Sequence, residues 1–215
     1  MSSKETARRI FAAAALVFVS TMVTLACRQF DWMPERPSPA FRTFGPAGAP
    51  IRIYEYTDFA CPACRGGDEQ IRSILKLYPD SVRVSFKHYP LTGIHPWSAE
   101  AAAYADCAGE RGKFREYAEL LFANQEKWGR AEERPAEFLE YAGELRLDPD
   151  AMEKCAQDPE TVRRINLDSA EGDMRRVNAT PTFFINGKRA VGGGQFLEEA
   201  KRFDNIVRTG SGRGL

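Results

Sequence analysis

Histidine is nearly missing from this 215-residue chain, with two residues, and cysteine is scarce, with five. A structural zinc site wants four Cys or His ligands at short spacings. His88 and His95 form no paired motif, and Cys27, Cys107 and Cys155 stand alone in sequence. No metal and no organic cofactor are therefore expected. No Met or His falls between Ile51 and Lys87, which argues against a copper or zinc carrier built on the thiols of that stretch. An excess of charge is absent as well: 30 basic and 30 acidic residues cancel, and no basic run occurs beyond the N-terminus. That balance lacks the electrostatic footprint of nucleic-acid binding. There are no internal repeats. What remains is the composition of a soluble globule, 43% hydrophobic and 28% charged, at a length that fits one domain with an elaboration.

One long apolar run interrupts this pattern. Lys4, Arg8 and Arg9 precede the uncharged residues 10–26, which end Thr24-Leu25-Ala26-Cys27. A basic start, an apolar middle and a small residue before a cleavage point is the layout of an export signal, placed here in residues 1–27. The run is also near the lower limit of about 17 residues for a membrane span. An uncleaved anchor, simple cleavage and lipidation of Cys27 stay open as alternatives. The third fits loosely, because Thr24 stands where lipoprotein signals usually carry Leu. All three put the globular part in the periplasm or on the extracytoplasmic face of the membrane, since the basic residues hold the N-terminus inside. Disulfides persist in that compartment. Residues 28–49, rich in proline, read as an extended tether.

Residues 51–57 alternate as a strand. Residues 61–77 place Ile71, Ile74 and Leu75 at helical spacing, and residues 81–89 alternate again around Val82, Val84 and Phe86. Strand signals then vanish. Helical periodicity runs through residues 97–107, 114–122, 136–145 and 150–177. Phe114, Tyr117, Leu121, Phe122 and Trp128 are its expected core. Two short strands, residues 182–185 and 188–191, flank Asn186-Gly187, a strong hairpin signal, and residues 195–207 close as a helix. The expected fold is α/β: a core of residues 50–95 and 178–215 interrupted by an all-helical insertion, residues 96–177.

Cys61-Pro62-Ala63-Cys64 lies where the first strand gives way to the first helix. A C-x-x-C at such a junction reads as a dithiol/disulfide redox centre. The helix N-terminus offers Cys61 unpaired N–H groups and the positive end of the dipole, which stabilise its thiolate. Cys64, one turn in, can reach it. Alternation puts Glu55 on the same strand face as Ile51 and Ile53, so its carboxylate is expected to enter the core near Cys64. Burial there would raise its pKa and suit it to exchange a proton with that thiol. His95 has no charge partner visible in the sequence and is read as structural. Cys107 and Cys155, 48 positions apart, are either free buried thiols or, in an oxidising compartment, a disulfide worth about 4 kcal/mol on the chain-entropy argument.

Asp58 to Cys64, a helical insertion, and Thr180-Pro181-Thr182-Phe183-Phe184-Ile185-Asn186-Gly187 together resemble the DsbA-like thioredoxin-fold thiol:disulfide oxidoreductases, over roughly residue 50 to the C-terminus. The resemblance implies a cis Thr180–Pro181 bond facing the disulfide. Thr180, Pro181, Pro62 and Ala63 would contact substrate. It also implies Cys61 as nucleophile, Cys64 as resolving thiol, an acidic residue at Glu55, and a disulfide in the insertion. The expected partners are reduced exported proteins and a membrane redox partner, either a quinone-linked oxidase or an electron donor. Ala63 stands where many strongly oxidising members carry His, which would raise the Cys61 pKa. Thr180 before the proline is similar to isomerase-type members. Disulfide formation is the preferred reading and a disulfide reductase or isomerase the alternative, although residues 28–48 are too short and proline-rich for the dimerisation segment an isomerase usually needs.

Overall fold

The computed structural model describes residues 9, 12–22 and 35–210. The chain divides into two units, residues 1–37 and 38–215. In the first, residues 12–22 are helical. Among the described residues no helix is long and apolar enough to cross a membrane. The rest of the apolar run and Cys27 lie outside the described residues, and with them the anchor, cleavage and lipidation alternatives.

In the second unit a five-stranded sheet runs in the order β1-β3-β2-β4-β5. Its strands are β1 (Thr43–Phe44), β2 (Ile51–Thr57), β3 (Val82–His88), β4 (Thr182–Ile185) and β5 (Lys188–Val191). β2 and β3 are parallel, joined by helix α1 (Pro62–Leu77), and the other neighbours are antiparallel. The register Glu55↔Phe86 and Glu55↔Phe183 aligns Ile51, Ile53, Val82, Val84, Phe183 and Ile185 on the face that α1 covers. On α1 the buried residues Cys64, Gly67, Asp68, Ile71 and Ile74 recur every three or four positions, one stripe of a helix. The other face holds a smaller cluster, Tyr56, Val177 and Phe184. Asn186 and Gly187 turn the β4–β5 hairpin at φ 48° and 87°, the positive values a tight primed turn requires.

The helical block consists of α2 (Ser98–Glu110), α3 (Phe114–Ala123), α4 (Gln125–Trp128), α5 (Glu137–Glu144), α6 (Pro149–Ala156) and α7 (Pro159–Met174). Phe114, Tyr117, Leu121, Phe122 and Trp128 are buried in its core. Cys107 on α2 and Cys155 on α6 are bonded, with Cα atoms 5.9 Å apart. The single helical run expected over residues 150–177 is two helices. Asp158 accepts a hydrogen bond from Glu160 N at 2.7 Å and Pro159 occupies the first helical position, so the chain restarts there. The closing helix is likewise two, α8 (Gly192–Ala200) and α9 (Phe203–Thr209).

The tether expected over residues 28–49 ends early. From residue 38 the chain belongs to the domain. Ser38 Oγ donates to Phe86 O at 3.0 Å, Ala40–Arg42 forms a 3-10 turn, and β1 pairs with β3 at Thr43↔Ser85. Arg42 is fully buried and ion-paired to Asp106 and Asp168. Proline removes donors but does not forbid a two-residue edge strand. The acids that hold Arg42 are remote in sequence, so the composition of the segment misled.

Candidate active site

The turn between β2 and α1 carries the dithiol. Cys61 is the N-cap of α1 with Pro62 at the first helical position, and Cys64 N and Arg65 N donate to Cys61 O at 3.0 and 3.4 Å. Both cysteines are free thiols. Cys61 is half-buried and Cys64 fully buried, while Pro62 and Ala63 are exposed beside them. The Thr180–Pro181 peptide is cis, and Cys61 Sγ donates to Thr180 O at 3.5 Å. Thus β4 and α1, more than a hundred residues apart in sequence, place Thr180 and Pro181 across Cys61. Gly67 permits that approach: a Cβ there would lie 3.0 Å from Pro181 Cγ.

The two thiols are driven apart in acidity. The Cys64 thiol, and then the Thr180 side chain and the N–H groups of Cys64 and Ala63, stabilise the Cys61 thiolate and pull its pKa down to about 5 against the opposing effect of burial. Burial, reinforced by the neighbouring Cys61, pushes Cys64 up. The depression of Cys61 occurs without an imidazole at position 63, since sulfur and backbone donors do the stabilising. Asp58 N donates to Cys64 Sγ at 3.4 Å.

Glu55 is fully buried, on the face of β2 toward α1. Burial first, and then the nearby Asp68, raise it to about 8, with Arg115 and the Thr57 hydroxyl opposing weakly. Neither carboxyl oxygen has a hydrogen-bond partner of good geometry. Asp68, one turn beyond Cys64 on α1, is ion-paired to Arg115 at 2.7 Å and Arg72 at 3.3 Å.

Three residues that the sequence reading did not single out as functional hold the turn. The buried Asp58 carboxylate accepts from Ala60 N at 2.7 Å, Leu91 N at 2.9 Å and His95 Nδ1 at 2.8 Å. His95, read from sequence as lacking a charge partner, therefore has one. From the other side Gln125 Nε2 donates to Phe59 O at 2.6 Å and Cys61 O at 2.9 Å. A buried polar residue flanking a turn is the only local hint of such a role, and its partners lie far along the chain. Among the described residues no group of His, Cys, Asp and Glu could hold a metal ion. Cys107 and Cys155 sit in the helical block, apart from the dithiol.

A family model described as Thioredoxin matches residues 38–207. Over 148 residues the chain is 41% identical to the Na+/H+ antiporter NhaA 3 of Salinispora tropica and 39% identical to NhaA 1 of Salinispora arenicola. Each match covers 69% of this chain and 22% of the relative, so the chain spans about a fifth of the length of these proteins. Among solved structures, DsbA2 of Pseudomonas aeruginosa is 25% identical with a TM-score of 0.63, covering 76% of this chain and 94% of that one. Wolbachia pipientis alpha-DsbA1 is 21% identical with a TM-score of 0.70, covering 80% and 94%. Oxidised BdbD of Bacillus subtilis is 21% identical with a TM-score of 0.67, covering 78% and 92%. The matched span contains both the dithiol and the cis-proline loop, and with it the chain belongs to the thioredoxin family, in the DsbA-like form whose fold is interrupted by a helical block.

Proposed function

We propose that this protein is a thiol:disulfide oxidoreductase that passes the Cys61–Cys64 disulfide to reduced exported proteins and is reoxidised by a membrane redox partner. The observation that carries the reading is the split dithiol: an accessible sulfur with a pKa near 5, a buried partner pushed up, and Thr180 across the first at 3.5 Å. A substrate thiolate attacks Cys61 Sγ of the disulfide, and Cys64 leaves as a thiolate. Glu55 supplies the proton that the buried Cys64 then requires. A second substrate thiolate attacks the substrate sulfur of the mixed disulfide, releasing the stabilised Cys61 thiolate and a two-electron-oxidised substrate. In the reverse direction, from the reduced form, Cys61 acts as nucleophile on a disulfide and Cys64 as the resolving thiol. Thr180 and Pro181 hold the substrate strand, with Pro62 and Ala63 beside it.

Stabilising the reduced form through its thiolate makes the disulfide more oxidising, which supports donation over reduction. The bonded Cys107–Cys155 pair suits an extracytoplasmic compartment and on this reading staples the insertion. The deciding experiment equilibrates the Cys61–Cys64 pair against glutathione. A potential near −120 mV, roughly that of strong oxidases, supports the donor, whereas one near roughly −270 mV assigns a reductase or isomerase fed with electrons across the membrane. Cys61→Ser is expected to abolish exchange and Cys64→Ser to trap substrates as mixed disulfides. Full activity of both variants would sink the proposal.

A further inference from the structure

The polar groups of the turn formed by residues 58–61 are met partly by its own Asp58 and partly by side chains that come from elsewhere. Asp58 Oδ1 takes Ala60 N and Asp58 O takes Cys61 N at 3.1 Å, while Asp58 Oδ2 reaches out to Leu91 N and His95 Nδ1. His95 in turn is tied to the start of α2, since Ser98 N and Oγ donate to His95 O at 3.1 and 2.9 Å. Gln125, at the start of α4, gives its amide to the carbonyls of Phe59 and Cys61. His95 and Gln125 are 7% and 6% exposed. A buried amide costs free energy unless it is hydrogen-bonded, and an apolar residue of the same volume would fill that place at no such cost. Here the groups that satisfy it are the carbonyls of the nucleophile and of its second neighbour upstream.

The consequence is geometric. A helix N-terminus stabilises an anion only within its first turn, so the sulfur of the N-cap must be held over the N–H groups of Ala63 and Cys64. Cys61 O keeps Cys64 N and Arg65 N as donors, so loss of the Gln125 amide leaves Phe59 O to find another. The turn would rotate to supply it, carrying Cys61 Sγ away from the N–H groups of Ala63 and Cys64 and from Thr180. We propose that Gln125 and the Asp58–His95 pair are positioning residues through which the helical block sets the thiol–disulfide equilibrium of Cys61 and Cys64. The proposal rests on the redox reading of that pair and assigns the insertion a task beyond packing.

The test uses the whole chain. Gln125→Met removes the donor and keeps the volume; His95→Leu removes the donor to Asp58, whereas His95→Asn restores an N–H near the Nδ1 position. The double variant Cys107→Ala/Cys155→Ala loosens the block without touching the turn and serves as the stability control. Two quantities are read: the equilibrium constant with glutathione, and the pH titration of the Cys61 thiolate by its ultraviolet absorbance. Gln125→Met and His95→Leu are expected to make the pair less oxidising by about tenfold, which is about 30 mV for a two-electron couple, with a rise in the Cys61 pKa. His95→Asn should stay within about threefold of the wild type on the same scale, and the control should not move. Should Gln125→Met fail to fold, Gln125→Asn, whose amide falls one methylene short of the carbonyls, decides in its place. Wild-type equilibria in the donor-free variants overturn the proposal, as does an equal shift in the control. A wild-type protein that exchanges with no protein thiol would instead sink the proposed function and leave these equilibria measurable.

Discussion

The two faces of the central sheet each bury an ionisable side chain on neighbouring strands and treat it in opposite ways. Lys87 on β3, aligned with Tyr56, points away from α1 and is fully buried, with its Nζ 2.8 Å from Glu171 and 3.5 Å from Asp168. Glu55 on β2 points toward α1, is equally buried, and has no hydrogen bond of good geometry. Desolvation acts on both faces alike. Burial would raise Asp168 too, but Arg42, Lys87 and His88 more than offset it and hold its carboxyl below the usual carboxylate range. For Glu55 the single opposing cation, Arg115, is outweighed by burial and Asp68, and its pKa climbs to about 8. The difference teaches how to tell a buried charge that ties elements together from one that, on the proposed function, is kept for proton exchange. The first is surrounded by opposite charge; the second is a desolvated carboxyl with its lone pairs unspent.

Breaking the paired face should have the largest effect. Lys87→Met takes a buried cation from Asp168 and Glu171 on α7 and is expected to cost about 3–5 kcal/mol, the usual penalty for removing one partner of a buried ion pair, read by urea denaturation of the oxidised protein. Loss of the Cys107–Cys155 bridge by double alanine substitution should cost about 4 kcal/mol for a loop of this length. Exchange by the remaining dithiol should proceed at the wild-type rate. Both changes act on structure alone, and a loss of exchange disproportionate to the fraction unfolded would blur the contrast between the faces.

The unpaired face should answer to pH instead. A carboxyl raised from 4.5 to about 8 binds a proton in the folded state that the unfolded chain has released. Stability from this group is therefore full below pH 4.5 and is lost as pH rises toward 8. Relative to Glu55→Gln, the oxidised wild type should lose about 1.4 kcal/mol per pH unit in the middle of that window. Parallel stability–pH curves for the two would show that Glu55 is not held protonated. The same variant should slow the step in which attack on Cys61 expels Cys64, followed by stopped-flow fluorescence, while leaving release of Cys61 by a second substrate thiolate unchanged. The smallest effect on stability is expected from Gly67→Ala. About 1 kcal/mol of added helix propensity offsets crowding of Pro181, yet displacement of that loop should lower the exchange rate. An unaltered rate would mean that Pro181 has room to yield.

Much of this architecture is readable from short-range pattern. The alternation of Ile51, Ile53 and Glu55 placed the glutamate on the core face. The helical spacing of Ile71, Ile74 and Leu75 marked α1, with Cys64 one turn in, and Asn186-Gly187 marked the hairpin. The restart of the helix at Asp158-Pro159 was legible too, as a capping residue followed by proline, but the periodicity on either side hid it. Other features left no local trace. β1 is two residues long, too short for alternation to register, and Arg42 lies in a proline-rich stretch that reads as tether until Asp106 and Asp168 come to meet it.

Read alone, the chain of residues settles where the dithiol lies, which strand and helix carry it, and that Glu55 faces inward, because strand alternation, helix periodicity and capping are interactions among near neighbours. Folding in three dimensions settles the company each group keeps: Thr180 beside Cys61, Gln125 and His95 around the turn, acids around Lys87, and none of the opposite charge close enough to quench Glu55. Those pairings join positions tens to more than a hundred residues apart. Their energies depend on burial and distance, quantities that exist only once the chain has taken its path.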